Sequence, residues 1–148
     1  AAEFNIAFDP EAAHVVFTSF KHLLVSDWEA TVAHGLPLED AEQWLQADSD
    51  RARFYELISR KTRALSEDAK GGRWYTADAV AMAWALNPEG QLQVESRPLN
   101  VELNGTFSRG ATIVDWNRQT GQPDNCDLLM AYDQQRFEAL VRQALGAV

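Results

Sequence analysis

The sequence contains one cysteine and no long apolar run. The single thiol, Cys126, excludes an internal disulfide framework and a cysteine-ligated zinc site, and without a nearby histidine it is not expected to be a nucleophile. No stretch is apolar enough to span a bilayer, and the first residues show no signal-peptide pattern. These absences favour a reducing compartment, the cytoplasm. The chain starts without methionine, which leaves open a processed protein or a piece of a longer one.

Basic residues are scarce. Lys and Arg total 13 against 22 Asp and Glu, which gives a net charge of −9. Nucleic-acid grooves and anionic membrane surfaces are bound by clustered cations, so we expect neither as a partner. Five basic residues share one predicted helix and are expected to form a solvated surface: Arg51, Arg53, Arg60, Lys61 and Arg63.

The short signatures of common enzymes are also missing. The sequence has no G-x-S-x-G, P-loop, G-x-G-x-x-G or H-E-x-x-H motif. The three histidines, His14, His22 and His34, lack metal-ligand spacing, and we expect His14 and His22 to be structural or surface residues.

Helical and strand patterns alternate along a chain of single-domain length. Helices are predicted at residues 10–20, 38–47, 49–68 and from Asp133 onward, with Phe54, Leu57, Ile58 and Leu65 forming the apolar stripe of the third and Gly71-Gly72 ending it. Strands are predicted at residues 22–25, 92–103, 106–108, 111–116 and 126–132, whereas residues 3–8 read as irregular or extended. This order predicts an α/β fold whose sheet is partly antiparallel near the C-terminus.

Two polar features stand out within this pattern. Asp27, Trp28 and Glu29 follow the strand predicted at 22–25, where α/β sheets bind ligands, although core packing is the alternative for Trp28. Within residues 74–86, the second half is small and apolar throughout and predicts a helix buried on nearly every side, with Asp78 at its head. That carboxylate is either an N-cap or a ligand of a bound metal ion.

Four segments, in order, resemble the inosine–uridine nucleoside N-ribohydrolases, most closely the animal-type members. Residues 2–13 read A-E-F-N-I-A-F-D-P-E-A-A, and residues 28–30 with 36–37 read W-E-A and L-P. Residues 78–83 read D-A-V-A-M-A, and residues 101–116 read V-E-L-N-G-T-F-S-R-G-A-T-I-V-D-W. The resemblance covers essentially the whole chain but matches only the C-terminal half of a typical member.

The resemblance implies a Rossmann-like open mixed sheet flanked by helices, and hydrolysis of the N-glycosidic bond of ribonucleosides to ribose and free base. Family members bind a calcium ion that contacts the ribose 2′- and 3′-hydroxyls and the attacking water. Asp78 matches the late calcium ligand of the family, and Glu3 and Asn5 match residues that hydrogen-bond the ribose. Most other calcium ligands lie in an N-terminal D-x-D-x-G-x-D-D motif, which this sequence lacks.

One departure concerns the leaving group. Many members place a proton-donating histidine immediately before the late aspartate, where this sequence has Ala77. Other members activate the base by aromatic stacking, for which Trp74, Tyr75 and Trp28 are the candidates here.

Three readings follow. In the first, the chain is the C-terminal portion of a nucleoside hydrolase, is inactive alone, and has an N-terminal fragment or a homo-oligomer as partner. In the second, it is a non-catalytic binding protein on the same scaffold. In the third, it is an unrelated acidic α/β domain.

Overall fold

The computed structural model describes residues 1–69 and 72–147. The chain divides into two compact units, each built from separate stretches of sequence. Unit 1 comprises Ala1–Val25 and Gln93–Met130, and unit 2 comprises Ser26–Leu92 and Ala131–Val148. Among the described residues, no helix is both long and apolar enough to cross a membrane.

Unit 1 opens with two helices, α1 (Phe4–Phe8) and α2 (Pro10–Ser19). Asp9 caps α2, because its carboxylate accepts the backbone N–H of Ala12 at 2.9 Å and Pro10 occupies the first helical position. This helix is confirmed. The expectation of irregular or extended structure at residues 3–8 is wrong, because Glu3 caps a five-residue helix there.

The strands form a small mixed sheet in the order β1–β7–β4. Strand β1 (Leu23–Val25) runs parallel to β7 (Cys126–Tyr132), with Leu23 opposite Cys126 and Val25 opposite Leu128. Strand β4 (Gln91–Arg97) lies on the other side of β7. Backbone hydrogen bonds join Asp133, after the end of β7, to Gly90, before the start of β4, and join Asn125, before the start of β7, to Arg97, at the end of β4. Strands β4 and β7 are therefore antiparallel.

A second, antiparallel pair lies in unit 1. Strand β5 (Leu99–Val101) pairs with β6 (Thr112–Val114). The predicted α/β fold with antiparallel strands near the C-terminus is therefore confirmed. The strand predicted at 106–108 is wrong, because backbone bonds from Arg109 to Gly105 and from Gly110 to Glu102 close this segment into a turn.

The core of unit 1 joins α2 to both pairs of strands. Its buried side chains come from the helix, from β5 and from β7: Phe17, Leu99, Val101, Cys126 and Leu128. Asn125 supports this core, since its amide donates to the carbonyls of Phe17 and Leu99 and its oxygen accepts the N–H of Leu99. The C-terminal half of α2 is thereby fixed relative to the strands by burial of apolar surface and by the Asn125 hydrogen bond to Phe17.

Unit 2 is mainly helical. Its elements are α3 (Trp28–Ala33), β2 (Leu36–Pro37), α4 (Leu38–Trp44), α5 (Asp50–Ala69), β3 (Arg73–Trp74), α6 (Ala77–Leu86), a 3₁₀ turn (Pro88–Gly90) and α7 (Gln134–Leu145). Strands β2 and β3 pair antiparallel. Helix α6 packs against α3 and α7, where Trp84 and Phe137 are buried.

The expectation that the helix headed by Asp78 is buried on nearly every side is wrong. In α6, Val80, Ala83 and Trp84 are buried, whereas Met82 is 57% and Leu86 73% exposed. The buried positions recur at three- and four-residue spacing and form one face. Ala residues between them gave the sequence an apolar appearance without marking which face packs.

Helix α5 also faces the opposite way from its predicted orientation. Its buried residues are Ala52, Ser59 and Arg63, and the predicted apolar stripe faces solvent. Arg63 is therefore not part of a solvated cationic face; it is 7% exposed, 3.2 Å from a carboxylate oxygen of Glu42, and donates to the Ser59 hydroxyl. The Leu65 side chain and Gly71 lie outside the described residues.

Candidate functional site

The two candidate ribose-binding residues, Glu3 and Asn5, lie together in unit 1. The Glu3 carboxylate accepts the backbone N–H groups of Asn5 and Ile6 at 2.9 and 3.2 Å. It also accepts the Asn5 side-chain amide at 3.2 Å. Both residues are exposed, and Phe4 between them is 79% exposed. The pair therefore presents a fixed carboxylate and amide to solvent beside an apolar ring.

The segment at residues 101–116 holds α1 in place. Gly110 adopts φ +83°, and a Cβ there would lie 3.0 Å from the Cβ of Ala2 and 3.4 Å from the Cα of Ala7. One residue earlier, Arg109 Nη2 donates to both carboxylate oxygens of Glu11 at 2.7 and 2.8 Å. The hydrogen bond from Arg109 lowers the pKa of Glu11. The sequence patterns gave Arg109 and Gly110 no role. Gly110 packs against α1, which Glu3 caps and which contains Asn5, and Arg109 is paired with Glu11 on the next helix, α2.

Asp78 lies in unit 2, in the first turn of α6. The N-cap interpretation is wrong, because Thr76 occupies the N-cap position and its side chain makes no capping bond. Asp78 is exposed, and among the described residues its carboxylate accepts no hydrogen bond and forms no ion pair. The pKa of Tyr55 is raised by burial and then by the negative charge of Asp78, which places that carboxylate within electrostatic reach of the phenol.

The three aromatic candidates occupy different environments in unit 2. Trp28 is 50% exposed and its ring lies 6.2 Å from that of half-buried Tyr75, tilted by 47°. Gly35 lies against the Tyr75 ring, since a Cβ there would approach Tyr75 Cε1 to 2.8 Å. Trp74 is 4% exposed, with its ring 5.6 Å from that of Tyr55. Trp28 and Tyr75 thus present an accessible aromatic surface, and Trp74 supports the interior.

The other polar residues near Trp28 stabilise local structure. The Asp27 carboxylate accepts the backbone N–H of Ala30 at 2.8 Å and so caps α3, and Glu29 follows in its first turn. Ala77 is the first residue of α6 and is exposed, with no group that can transfer a proton.

The structure brings Glu3 to Asn5 and Trp28 to Tyr75, each pair within its own unit. Asp78 belongs to unit 2. Over the described part of the chain, no group of three or more histidine, cysteine, aspartate or glutamate side chains could hold a metal ion.

His34 is a buried structural residue. Its Nε2 accepts the backbone N–H of Tyr132 at 3.0 Å, so its Nδ1 carries the proton and donates to Oε1 of Gln134 at 3.0 Å. Replacing His34 with leucine leaves a buried N–H without an acceptor, and we expect a loss of about 2–4 kcal/mol of stability in urea unfolding. His22→Leu, at a 62% exposed side chain, is the control and should cost under about 1 kcal/mol. Equal losses would contradict this role.

Cys126 is buried, and its thiol is expected to be unreactive. Burial raises the pKa of its thiol to about 11. We therefore expect no alkylation by iodoacetamide at about pH 8 in the folded chain and full alkylation in urea. Since the pKa rises from an ordinary 9.0, the thiol stabilises the fold fully below that pH, and this contribution disappears as pH rises through about 11. Rapid native alkylation, read by mass spectrometry, would contradict the burial.

Comparison with known proteins identifies the family. Residues 1–139 match the profile of the inosine-uridine preferring nucleoside hydrolases. The pyrimidine-specific ribonucleoside hydrolase RihA of Escherichia coli O8 (strain IAI1) is 31% identical over 150 residues, which cover 98% of this chain and 47% of RihA. RihA of Citrobacter koseri is 31% identical over 151 residues, or 99% of this chain and 47% of that protein.

Solved structures agree with this match. An inosine-guanosine nucleoside hydrolase superposes with a TM-score of 0.85 at 28% identity, covering 99% of this chain and 46% of that one. A plant nucleoside hydrolase, at 23% identity and a TM-score of 0.84, supports the Rossmann-like fold, and the superposition covers 100% of this chain and 48% of the plant chain. The chain spans about half the length of these relatives. It belongs to the inosine-uridine preferring nucleoside hydrolase family.

Proposed function

We propose that this chain is the C-terminal part of a calcium-dependent nucleoside hydrolase that cleaves the N-glycosidic bond of ribonucleosides to ribose and free base. The observation that carries the proposal is the family match over residues 1–139, a span that includes Glu3, Asn5 and Asp78. All three side chains are exposed and therefore available to a ligand.

Glu3 and Asn5 bind the ribose hydroxyls in this proposal. Their positions fit because the Glu3 carboxylate is held by three donors and Asn5 is held in turn by Glu3. Glycosidic cleavage passes through an oxocarbenium-like transition state, in which positive charge develops on the sugar. Ribose hydroxyls that donate to the fixed Glu3 carboxylate and bond the Asn5 amide make hydrogen bonds that strengthen as that charge develops, which lowers the barrier.

Asp78 supplies one oxygen ligand to calcium. The donor chemistry fits: within residues 1–69 and 72–147 the carboxylate makes no other bond, and the hydroxyl of Thr76 is buried with no hydrogen-bond partner there. Calcium takes about six to eight oxygen ligands, so the remaining ones come from outside the residues described here. When bound, the ion would contact the ribose hydroxyls and lower the pKa of the attacking water.

The departing base is accommodated by aromatic side chains in this proposal. Ala77 cannot donate a proton, so stacking on the accessible Trp28–Tyr75 pair is the remaining means by which unit 2 could stabilise the leaving group. The named specificities of the relatives differ, pyrimidine nucleosides for RihA and inosine and guanosine for the hydrolase of known structure. We therefore propose ribonucleosides as the substrate class.

The proposal is tested with two samples, the 148-residue chain alone and the same chain co-expressed with an N-terminal half that carries D-x-D-x-G-x-D-D. We expect ribose release from inosine or uridine only from the complex, and only with calcium, measured by reducing-sugar assay with and without a chelator. Calcium-dependent turnover by the chain alone would overturn the assignment as a partial enzyme.

A non-catalytic nucleoside-binding protein on the same scaffold is the second candidate, and Ala77 favours it. The same samples separate the two. A complex that binds inosine or uridine in calorimetry but releases no ribose supports the binding protein and rejects the hydrolase.

A further inference from the structure

The turn between β5 and β6 contains the one Asn-Gly dipeptide of the sequence, Asn104-Gly105. Asn104 is exposed, and within residues 1–69 and 72–147 its side-chain amide makes no hydrogen bond. Because glycine has no side chain, its backbone nitrogen approaches the amide of a preceding asparagine with little steric hindrance. The pair is therefore prone to deamidation by its own backbone.

Deamidation at this pair needs only water and hydroxide. The Gly105 nitrogen loses its proton to hydroxide and attacks Cγ of Asn104, so a C–N bond forms. The bond from Cγ to the side-chain nitrogen breaks, and that nitrogen takes a proton from water and leaves as ammonia. Water then opens the five-membered imide at either carbonyl, which gives aspartate or isoaspartate at position 104. The reaction thus requires loss of the Gly105 proton and a backbone rotation that brings the nitrogen to Cγ.

The Glu102 carboxylate opposes loss of the proton. Its Oε1 accepts the N–H of Gly105 at 3.0 Å and the N–H of Asn104 at 2.7 Å. A negative charge at hydrogen-bond distance disfavours the amide anion that must form, because like charges repel. The N–H of Gly105 therefore keeps its proton while this contact persists.

Hydrogen bonds within the turn oppose the rotation. The carbonyl of Gly105 accepts the backbone N–H of Arg109 at 3.0 Å. On the other side of Asn104, the carbonyl of Leu103 accepts Nη1 of Arg109 at 2.7 Å. Rotation at Asn104 must break the contacts with Glu102 while these neighbouring bonds hold the flanking residues in place, so the reaction requires local opening of the turn.

Packing explains why glycine is present at this position. A Cβ at residue 105 would overlap the Ser108 hydroxyl and lie 3.2 Å from Cγ of Glu102. A larger residue, which would slow the reaction by its bulk, is therefore disfavoured by its neighbours. We propose that Asn104 is a deamidation site of this protein and that the Glu102 carboxylate limits the rate of its conversion to aspartate or isoaspartate.

Conversion disrupts the turn. Aspartate at position 104 places a second carboxylate near that of Glu102, and isoaspartate inserts one more backbone carbon between the two N–H groups that Glu102 accepts. The same turn leads to Gly110, which packs against Ala2 and Ala7. We therefore expect the converted chain to unfold at a lower urea concentration than the unconverted chain.

Timed incubation of the 148-residue chain at mildly alkaline pH, followed by peptide mass mapping, measures conversion at residue 104. We expect the folded chain to convert at least about tenfold more slowly than the same chain in urea, the factor that corresponds to one hydrogen bond to a charged group. Glu102→Ala should remove this protection and accelerate conversion of the folded chain by at least about tenfold. Asn104→Gln should show almost no conversion, because its attack requires a six-membered ring.

Glu102→Gln tests the role of the charge. It keeps an oxygen acceptor of the same size, so its rate should lie between those of the native chain and Glu102→Ala. Circular dichroism verifies that each variant is folded. If Glu102→Ala is unfolded, Glu102→Gln decides alone, and a rate equal to that of the native chain overturns the proposal.

Glu11→Ala is the matched control. It removes the carboxylate that Arg109 Nη2 contacts at 2.7 Å but leaves both hydrogen bonds to Glu102 intact, so it should convert at the native rate. Equal acceleration by Glu11→Ala, or a native chain that converts as fast folded as in urea, overturns the proposal. Absence of conversion in urea overturns it as well. The measurement uses no nucleoside and no calcium, so its outcome is independent of the proposed function.

Discussion

Replacing Asp78 with alanine in the calcium-loaded complex of both halves is expected to lower kcat/KM for a ribonucleoside by about 10³-fold. The reason is that the substitution removes a charged oxygen ligand that has no other partner in the described structure. The affinity for calcium should fall at the same time, measured by calorimetry on the same sample. A loss of activity with unchanged calcium affinity would contradict the assignment of Asp78 as a ligand.

Asp40→Ala provides the matched control. Asp40 is also an exposed acid in the first turn of a helix, α4. Both substitutions remove a favourable interaction with a helix dipole, worth about 0.3–1 kcal/mol, but only Asp78 is proposed to bind calcium. Activity within about twofold of the native complex is expected for the control. Similar losses in both variants would mean that Asp78 acts only through helix stability.

The second large effect is expected at Gly110. A methyl group there meets Ala2 and Ala7 at 3.0 and 3.4 Å, and the backbone has φ +83°. Backbone strain of about 1–2 kcal/mol and overpacking of about 1–3 kcal/mol together predict that Gly110→Ala costs about 2–5 kcal/mol. Urea unfolding measures this loss. Since α1 is the element displaced, ribose binding through Glu3 and Asn5 should weaken as well.

Gly121→Ala separates the two contributions. Gly121 has a similar φ of +67°, but a Cβ there would meet no atom within 4 Å. The control therefore keeps the backbone strain without the contacts and should cost only about 1–2 kcal/mol. If the two alanine variants are equally stable, the contact between residues 101–116 and α1 does not support the fold.

Local signals predicted some elements well and others poorly. Asp9-Pro10 correctly predicted the start of α2, because N-capping and the fixed φ of proline act within a few residues. Helix α1 was missed because it is five residues long and depends on one carboxylate, Glu3, that satisfies two backbone N–H groups. Strands β2 and β3 have two residues each, too few for any periodicity to show.

Orientation was harder to predict than helix existence. The pattern in α5 correctly predicted a helix but assigned the wrong inward face. Its packed side carries Ser59 and Arg63, whose burial is compensated by a hydrogen bond between them and by Glu42 on α4. Such partners come from another element, so no property of the helix alone reveals them. Hydrophobic periodicity therefore identified the exposed face.

The candidate site depended on resemblance more than on pattern. Spacing alone does not connect Glu3 or Asn5 with Asp78, and each side chain has an ordinary local explanation as a cap or a first-turn acid. Family membership supplied the reason to consider them together. The structure added what resemblance did not specify, namely the packing of Gly110 against α1, the binding of Arg109 to Glu11 on α2 and the pairing of Trp28 with Tyr75.

The division of the chain into two interleaved units has a consequence for folding and truncation. The chain passes between the units after residues 25, 92 and 130, and the last two crossings fall inside β4 and β7. Pairing of Leu23 with Cys126 must also close a loop of about 100 residues, which slows folding. Neither unit can be cut out as one continuous segment. During synthesis, β7 must therefore emerge from the ribosome before unit 1 can complete its sheet. A nascent chain that stalls before residue 126 leaves β1 unpaired, with its apolar side exposed to chaperones.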